Sequence, residues 1–464
     1  MTKAAGWISI FLFAISVFSR PNVLFIAIDD LRPALGCYGD PVALTPQIDR
    51  IAKGGTVFRN AHCQWPVCGP SRASLMTSLR PEASGVMDLK TDMRAKNANV
   101  LSLPQHFRQL GYSTAGSGKI YDPRCVDSKL AQDAPSWSLP YARLSYDKLK
   151  FKDNKAVYLA PEVADEDLAD GQIARNGIAL MQKLAKGDAP FFLAVGFKKP
   201  HLPFIAPKRY WDLYTPEQFP HPPHRSGIAD DSGYLLHDSP EFRGYEGAPE
   251  SGTLSDELQR NSRHAYYACV SYIDAQVGLL ISELERLGLA DNTIVALWGD
   301  HGFHLGDHGM WGKHSTLEAA TLSPLIIRPA KGKAIASTNT PVEFIDIFPT
   351  LCEFAGLPIP DALQGRSLAP VITGRSSSVR QGALTVFKKR GCIGYSHRGE
   401  RYRYTDWINK FGKTVAIDLF DYSADPHETR NLANSAEHKP LMTRLAAALR
   451  AESAGCDRLH TAAK

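Results

Sequence analysis

The chain has 464 residues, of which 44% are hydrophobic, and its 53 Lys and Arg residues against 48 Asp and Glu residues give a net charge of +5. This is enough apolar material for a large core, which excludes an intrinsically disordered protein. The mild positive charge is spread along the chain without a long basic run. It therefore gives no indication of nucleic-acid binding, although it is compatible with an anionic substrate.

The first 19 residues have the pattern of a secretory signal peptide. One lysine precedes an apolar run at residues 4–18, and the small residue Ser19 provides a cleavage site. An uncleaved membrane anchor is the alternative, but the run is shorter than the roughly 20 residues that a spanning helix needs. We therefore predict a secreted or periplasmic protein without a stable membrane partner.

The chain has eight cysteines, and none of them forms a CxxC pair. This number is too small for a disulfide scaffold of this length, and the spacing excludes zinc or redox sites of the CxxC type. Export would allow one or two disulfides, but the sequence does not indicate which cysteines would pair.

Three apolar runs predict strands that are buried on both faces of a parallel sheet. Each run ends abruptly in polar residues: residues 22–28 lead into Asp29 and Asp30, residues 191–197 into Lys199 and His201, and residues 293–298 into Asp300 and His301. Helical periodicity is found at residues 103–110, 174–184 and 263–287. The alternation predicts a doubly wound α/β sheet, in which ligands bind beyond the carboxyl ends of the strands.

The rest of the chain has a different pattern. Residues 219–250 are rich in Pro, His, Gly and Asp, and they predict a long surface excursion near the site entrance. Beyond about residue 378, short alternating runs predict a small antiparallel sheet that is covered by a helix at residues 439–454. We therefore predict a signal peptide at residues 1–19, an α/β catalytic domain at 20–378 and a C-terminal subdomain at 379–464.

Adjacent carboxylates at a buried strand end indicate a bound cation. Burying Asp29 beside Asp30 costs on the order of several kcal/mol unless a cation neutralises them. Alone, the pair is better explained by a helix cap and an exposed turn residue, but Asp300 and His301 follow a second strand end. Three carboxylates favour a hard ion such as Ca²⁺ or Mg²⁺, whereas the imidazole of His301 is more usual with softer metals.

The run VCGPSRASLMTSLRP places Cys68 just before a predicted helix at residues 71–79, which Pro70 opens. The first turn of such a helix presents free N–H groups, which would attract an anion placed beside the thiol. A buried and inert cysteine is the alternative on spacing alone, because free cysteines pack well in cores.

This run resembles the signature of the type I, formylglycine-dependent sulfatases, which is Cys-x-Pro-Ser-Arg followed by a Thr-Gly-Arg turn. Ser78 and Leu79 replace the Gly and Arg of that turn. The similarity extends in family order over most of residues 22–434, and DDLRPALGCYGD and KPHLPF are most similar to iduronate-2-sulfatase-type enzymes. The resemblance implies sulfuric ester hydrolase activity and an alkaline phosphatase/sulfatase-like sandwich, with a large mixed, mostly parallel sheet flanked by helices.

The resemblance also implies the roles of individual residues. Oxidation of Cys68 by a formylglycine-generating maturation enzyme would supply an aldehyde hydrate as the nucleophile, which Arg72 would steady. The other implied roles are metal ligation by Asp29, Asp30, residue 68, Asp300 and His301, sulfate binding by Lys119 and Lys313, and protonation of the leaving oxygen by His201. The implied metal is Ca²⁺, with Mg²⁺ as the alternative.

Two positions leave their roles open. The iduronate-type pattern GKxxH has its histidine three residues after the lysine, where this chain has Asp122. An aspartate could accept the same proton from the nucleophile, but it adds negative charge beside an anionic substrate. Lys199 is either a solvated lysine or a group that orients the substrate. We therefore predict Asp122 as a catalytic residue and Lys199 as a substrate contact.

Three functions are compatible with these motifs. The first is a sulfatase acting on sulfated, uronate-containing polysaccharides or glycosaminoglycan-like oligosaccharides. The second is a phosphodiesterase or phosphonate monoester hydrolase of the same superfamily, and the third is an inactive carbohydrate-binding relative. Because Cys68, Arg72 and both lysines are retained, the first function is favoured over the third.

Overall fold

A seven-stranded sheet forms the centre of the protein. The computed structural model describes residues 20–127, 132–141, 155–332 and 334–453, so the predicted signal peptide and Cys456 lie outside the described residues. From one edge to the other, the strands are Ser337–Thr338, Thr56–Phe58, Leu325–Arg328, Thr293–Gly299, Asn22–Ile28, Phe191–Phe197 and Ser113–Gly118.

The last four of these strands are parallel to one another, whereas Leu325–Arg328 is antiparallel to both of its neighbours. The sheet is therefore mixed and mostly parallel, as the resemblance implied. In the central strand Asn22–Ile28, Leu24 and Ile26 face one apolar core while Val23 and Phe25 face another. Successive side chains of a strand point to opposite faces, so both faces of this sheet require a cover.

Helices cover both faces and complete a three-layer sandwich. One core receives side chains from Pro46–Lys53, Ala169–Leu184 and Asp256–Arg286, and the other from Cys68–Thr77, Leu103–Gln109 and Ile347–Ala355. Two helices begin before the predicted residues 174 and 263, because their first turns are polar and do not show the apolar period. At one of these starts, Ser255 Oγ accepts a hydrogen bond from Leu258 N at 3.2 Å, which is a normal helix cap.

The small C-terminal antiparallel sheet is confirmed. Its strands pair in sequence order and are Ala383–Lys389, Cys392–Arg398, Tyr402–Ile408 and Thr414–Asp421. Helix Lys439–Glu452 packs Leu449 into the same apolar cluster as Trp407, and Trp65 and Val67 belong to that cluster too. The small sheet thus supports the segment that leads into Cys68. The domain division after residue 378 stays a prediction.

The described cysteines give no support for a disulfide. All seven cysteines within the described ranges are unpaired, so none of the disulfides that export would allow joins two of them. In the same part of the chain, no helix combines the length and the apolar character that crossing a membrane requires.

The helix Cys68–Thr77 ends at Ser78, which adopts the left-handed backbone conformation with a φ of 51°. The sulfatase signature has glycine at this position, and glycine takes this conformation without strain. Ser78 Oγ donates a hydrogen bond to Ile345 O at 2.7 Å and accepts one from Gly365 N at 3.1 Å. The serine hydroxyl therefore offsets the backbone strain by joining the turn to two distant segments.

We expect Ser78→Ala to lower the free energy of unfolding by about 2 kcal/mol, because two hydrogen bonds are lost while the backbone strain remains. Ser78→Gly loses the same bonds but removes strain of about 1 kcal/mol, so it should be roughly half as destabilising. Denaturant unfolding of both variants measures the difference. Equal stability of the two variants would contradict this account of the turn.

Candidate active site

Four neighbouring parallel strands end at one edge of the main sheet, and each leads into a predicted site residue. Strand Asn22–Ile28 pairs in register with Phe191–Phe197 on one side and with Thr293–Gly299 on the other. Asp29, Asp300 and the loop of His201 consequently start at the same level. This is the edge at which ligands bind in sheets of this kind.

Lys119 reaches the same edge from the outer strand Ser113–Gly118. Gly118 has a φ of 80°, and a Cβ atom at this position would lie 2.1 Å from Gly196 O. Only glycine permits so close an approach between the two strands. The chain can therefore turn at Gly118 and place Lys119 in the pocket.

Three carboxylates are buried at this edge. Asp29 is 2% exposed, and Asp30 and Asp300 are fully buried. Asp30 has a φ of 58°, a left-handed conformation that non-glycine residues adopt rarely and often at functional sites. Two hydrogen bonds hold it there, since Asp30 N donates to Asp300 Oδ1 at 3.0 Å and Tyr266 Oη donates to Asp30 O at 2.7 Å.

The imidazole of His301 faces the carboxylates with one nitrogen. Its Nε2 lies 3.3 Å from Asp30 Oδ1 and 3.3 Å from Cys68 Sγ. Its Nδ1 lies 2.9 Å from Gly302 O, and because a carbonyl can only accept, Nδ1 carries the proton. Nε2 therefore faces the pocket, which is the orientation that metal ligation by a histidine requires.

The predicted metal ligands are brought together. Ligand atoms lie within 4.8 Å of one another in two groups, Asp29 with Cys68, Asp300 and His301, and Asp30 with Cys68 and His201. Cys68 is common to both groups, so they form one pocket. Several buried carboxylate oxygens around a single point suit a hard divalent cation. The donor set therefore fits the metal that the resemblance implies.

The fully buried guanidinium of Arg72 joins two of the carboxylates. Arg72 Nε lies 2.9 Å from Asp300 Oδ2, and Nη2 lies 3.3 Å from Asp29 Oδ1. Its Nη1 donates to Ile120 O at 3.1 Å. Arg72 thus fixes the orientation of two predicted metal ligands, while its direct contact with the nucleophile stays a prediction.

Each predicted sulfate-binding lysine pairs with one carboxylate. Lys119 Nζ lies 2.6 Å from Asp29 Oδ2, and Lys313 Nζ lies 2.8 Å from both carboxylate oxygens of Asp30 and 3.8 Å from Cys68 Sγ. Burial would raise the pKa of Asp29, but the charges of Lys119, Arg72 and His201 together outweigh it and hold this pKa well below its usual range. Fixed positive charge therefore lies beside residue 68.

Cys68 occupies the first position of its helix, three residues before the predicted start at residue 71. Only 1% of the residue is exposed, yet polar atoms of His301, Lys313 and Asp30 lie 3.3, 3.8 and 3.9 Å from its Sγ. These surroundings weigh against an inert core cysteine. Burial, together with the charge of Asp29, raises the pKa of the Cys68 thiol to about 12, so the unmodified thiol is a poor nucleophile at neutral pH.

The loop after strand Phe191–Phe197 directs His201 into the pocket. His201 Nδ1 lies 2.6 Å from Leu202 O and must donate to it, which leaves Nε2 facing the site. Burial would lower the pKa of His201, but its interactions with Asp30, Asp29 and Cys68, of which that with Asp30 is the largest, raise it to about 10. Lys199 Nζ donates to His201 O at 2.7 Å and to Pro203 O at 2.6 Å. Lys199 thus braces the loop, and its contact with the substrate stays a prediction.

Glu241 is a site residue that no sequence motif indicated. It lies in the short helix Pro240–Arg243, within the predicted excursion 219–250. Its Oε1 is 3.3 Å from His201 Nε2, and its Oε2 is 3.2 Å from Lys313 Nζ. The excursion is anchored by fully buried Phe242, so it forms part of the pocket wall. The only sequence signal was the prediction that this segment lies near the entrance.

Asp122 is paired with an arginine. Its Oδ1 accepts from Arg124 N at 3.0 Å and from Arg124 Nε at 2.9 Å, and its Oδ2 accepts from Arg124 Nη2 at 2.8 Å. Burial would raise the pKa of Asp122, but Arg124 and Lys119 lower it to about 2. These contacts favour the positioning of Arg124 over proton transfer, and the proton-acceptor role stays a prediction.

A pocket of this kind suits the transfer of a tetrahedral anionic group, because fixed cations and metal-binding carboxylates surround a single nucleophile position. The fold and the site together define a hydrolase of the alkaline phosphatase superfamily. The sulfatase family profile matches residues 21–357, and the profile of the C-terminal part of N-sulphoglucosamine sulphohydrolase matches residues 306–454. The chain therefore belongs to the sulfatase family and is a sulfuric ester hydrolase, which confirms the resemblance.

Individual relatives agree with this assignment. The iduronate 2-sulfatase of Mus musculus is 32% identical to this chain, with 91% of this chain and 92% of that protein covered. A sulfatase of Formosa agariphila is also 32% identical, with 93% and 86% covered. The likeness to iduronate-2-sulfatase-type enzymes is therefore confirmed over nearly the whole chain.

Solved structures confirm the predicted sandwich. One, a complex with its substrate D-glucosamine-2-N,6-O-disulfate, has a TM-score of 0.77 at 22% identity and covers 96% of this chain and 100% of that chain. The phosphonate monoester hydrolase of Agrobacterium radiobacter has a TM-score of 0.80 at 24% identity and covers 94% and 96%. Identities this low establish the fold alone.

We expect Glu241→Gln to move the alkaline limb of the pH profile of kcat/KM to lower pH by about one unit. Glu241 is the anionic partner of His201 Nε2 at 3.3 Å, so removing its charge makes the imidazolium easier to deprotonate. His201 is the predicted general acid, and such a group acts only below its pKa, so the variant should lose activity at a lower pH than the wild type. Glu250→Gln, at an exposed position of the same excursion, is the matched control. A limb that stays in place in both variants would disprove the predicted link.

Asp122→Asn should reduce kcat for a small aryl sulfate by less than about tenfold, because the carboxylate is engaged by Arg124 and is a weak base. Loss of a general base typically lowers kcat by roughly 10²- to 10⁴-fold. Steady-state kinetics of the variant distinguish a role in positioning Arg124 from a role as proton acceptor. A fall in kcat of that larger size would assign the proton-acceptor role to Asp122.

Proposed function

We propose that this sulfatase hydrolyses sulfate esters of acidic polysaccharides, with residue 68 as the nucleophile after Cys68 has been oxidised to Cα-formylglycine. The observation that carries the proposal is the position of Cys68 Sγ, 3.3 Å from His301 Nε2 and 3.8 Å from Lys313 Nζ. A nucleophile at this point faces the metal-binding carboxylates and fixed positive charge together.

Oxidation of Cys68 would replace a poorly reactive thiol with a group that can act as the nucleophile. The thiol has a pKa raised to about 12 by burial and by Asp29, so it would be almost entirely protonated at neutral pH. An aldehyde at residue 68 would supply a hydrate hydroxyl instead. The protein partner that this step requires is a formylglycine-generating maturation enzyme.

We further propose that the carboxylates hold Ca²⁺, with Mg²⁺ as the second candidate. Asp29, Asp30, Asp300 and His301 would be the side-chain ligands beside residue 68, and three carboxylates match the preference of Ca²⁺ for oxygen donors. When bound, the ion would withdraw negative charge from the nucleophile and the sulfate oxygens. Lys119 and Lys313 would bind the other sulfate oxygens, because their ammonium groups already lie at the pocket.

His201 would protonate the leaving alkoxide. Its Nδ1 is committed to Leu202 O, so the proton that it can transfer is the one on Nε2. Lys199 donates to the backbone carbonyl of His201, and Glu241 Oε1 lies 3.3 Å from Nε2 of the ring. An alkoxide is a poor leaving group, and general acid catalysis typically contributes roughly 10²- to 10⁴-fold.

The substrates named for relatives favour a sulfated saccharide. They include iduronate, ulvan and N-acetylglucosamine 6-O-sulfate among the relatives, and glucosamine disulfate in the solved complex. We infer a sulfated, uronate-containing polysaccharide or a glycosaminoglycan-like oligosaccharide. The signal-peptide pattern of residues 1–19 supports export, so the enzyme would meet this substrate as a secreted or periplasmic protein.

A second candidate function is phosphonate monoester hydrolysis, which is favoured by the fold similarity to two solved phosphonate monoester hydrolases, one of them the Agrobacterium enzyme. The test is to assay 4-nitrophenyl sulfate against the matched phosphate and phenylphosphonate esters, using enzyme co-expressed with a maturation enzyme. We expect the highest kcat/KM for the sulfate, and loss of activity in Cys68→Ala and after metal chelation. A higher kcat/KM for the phosphonate would favour the second candidate.

Mass spectrometry of the same preparation provides the control for maturation. The peptide that contains residue 68 should carry an aldehyde, whereas the peptide that contains Cys125 should retain its thiol. Full activity with an unmodified Cys68 thiol would disprove the proposed nucleophile.

A further inference from the structure

Arg124 is an exposed cation for which the proposed reaction has no use. Its side chain is 53% exposed, whereas the side chain of its partner Asp122 is fully buried. The Asp122 carboxylate accepts from Nε at 2.9 Å, from Nη2 at 2.8 Å and from the Arg124 backbone N–H at 3.0 Å. Bonds to both edges of the carboxylate fix a planar guanidinium in one orientation.

The fixed guanidinium lies close to a predicted sulfate-binding group. Asp122 Oδ2 is 2.8 Å from Arg124 Nη2 and 3.8 Å from Lys119 Nζ. The distance between Arg124 Nη2 and Lys119 Nζ therefore cannot exceed the sum of these two distances. Such a separation is comparable to that between substituents on one sugar ring. Within the described ranges, Arg124 Nη1 makes no hydrogen bond, so it remains available to a ligand from solvent.

We propose that Arg124 binds a second anionic group of the substrate, a carboxylate or a further sulfate, on the sugar that bears the scissile sulfate or on the adjoining sugar. This inference rests on the proposed sulfatase function and names the subsite that would select an acidic saccharide. A guanidinium presents paired N–H donors that match the oxygens of carboxylate and sulfate groups. Asp122 is a positioning residue in this arrangement, because it acts only through Arg124.

The alternative is that the pair only ties down its loop. The chain contains a matched pair for comparison, since Arg401 Nε and Nη2 lie 2.9 Å and 2.7 Å from the carboxylate of Asp421 and the Arg401 side chain is 56% exposed. Its partner Asp421 lies on the small antiparallel sheet. Arg401 therefore has the same geometry and exposure without a place at the active site.

The experiment measures selectivity between two sulfate esters. The first is 4-nitrophenyl sulfate, which has no second anion, and the second is a sulfated disaccharide with a free uronate carboxylate. We expect Arg124→Met to lower the ratio of kcat/KM for the disaccharide over the aryl ester by roughly tenfold or more, the size of one charge-assisted contact. The change should be in KM for the disaccharide. Arg401→Met should leave the ratio unaltered.

A second variant guards against misfolding and tests the geometry. Arg124→Lys keeps the charge but not the planar donors, so its ratio should fall between those of the wild type and Arg124→Met. Two further substrates identify the anion. If the carboxylate is bound, methyl esterification of the uronate should lower kcat/KM of the wild type as Arg124→Met does. If a second sulfate is bound, Arg124→Met should lower kcat/KM for a disulfated monosaccharide.

An unchanged ratio in Arg124→Met for every acidic substrate would overturn the inference. Failure of the wild type to hydrolyse any sulfate ester would instead contradict the proposed function. In that event, calorimetric titration of the acidic sulfated disaccharide into the wild type and Arg124→Met still decides the matter. Weaker binding by the variant supports the subsite, and equal Kd values disprove it.

Discussion

The whole site depends on the neutralisation of three carboxylates that meet at the carboxyl edge of the main sheet. Asp30 and Asp300 are fully buried and Asp29 nearly so. An unpaired buried charge costs about 3–5 kcal/mol, which is a large part of the roughly 5–15 kcal/mol that stabilises a folded domain. The buried cations Arg72 and Lys313 and the partly exposed Lys119 offset this cost. Stability and chemistry are therefore coupled through the same ion pairs.

These ion pairs also explain how one pocket can accommodate both a cation and an anion. An ionised carboxylate has about four acceptor positions, whereas a lysine ammonium has three donors, so neither is saturated by the other. A divalent ion could use the remaining acceptors of Asp29 and Asp30. The remaining donors of Lys119 and Lys313 would then serve the sulfate. The two lysines stay charged in either case, because they are held beside carboxylates.

Three neighbouring strands of the main sheet and the carboxylate cluster could be predicted because their signals are local in sequence. Continuous apolar runs marked the strands, and the polar residues that ended those runs marked the site. Glu241 could not be found in this way, since it lies in an irregular excursion and reaches His201 and Lys313 only through the tertiary fold. Ser78 was recognised as a departure from the family turn, but its compensating partners lie more than 260 residues away.

Asp122 shows how a replacement that is unfavourable in sequence becomes acceptable in structure. A carboxylate in place of a neutral imidazole adds negative charge beside an anionic substrate, and that charge alone would weaken sulfate binding. Arg124 cancels it through the bidentate pair, so the charge that the sulfate meets is changed little. The negative charge of the Asp122 carboxylate is buried, and the positive charge of the Arg124 guanidinium is half exposed. Substitution at this one position can therefore preserve the reacting centre while it alters the surface that a polyanionic substrate meets first.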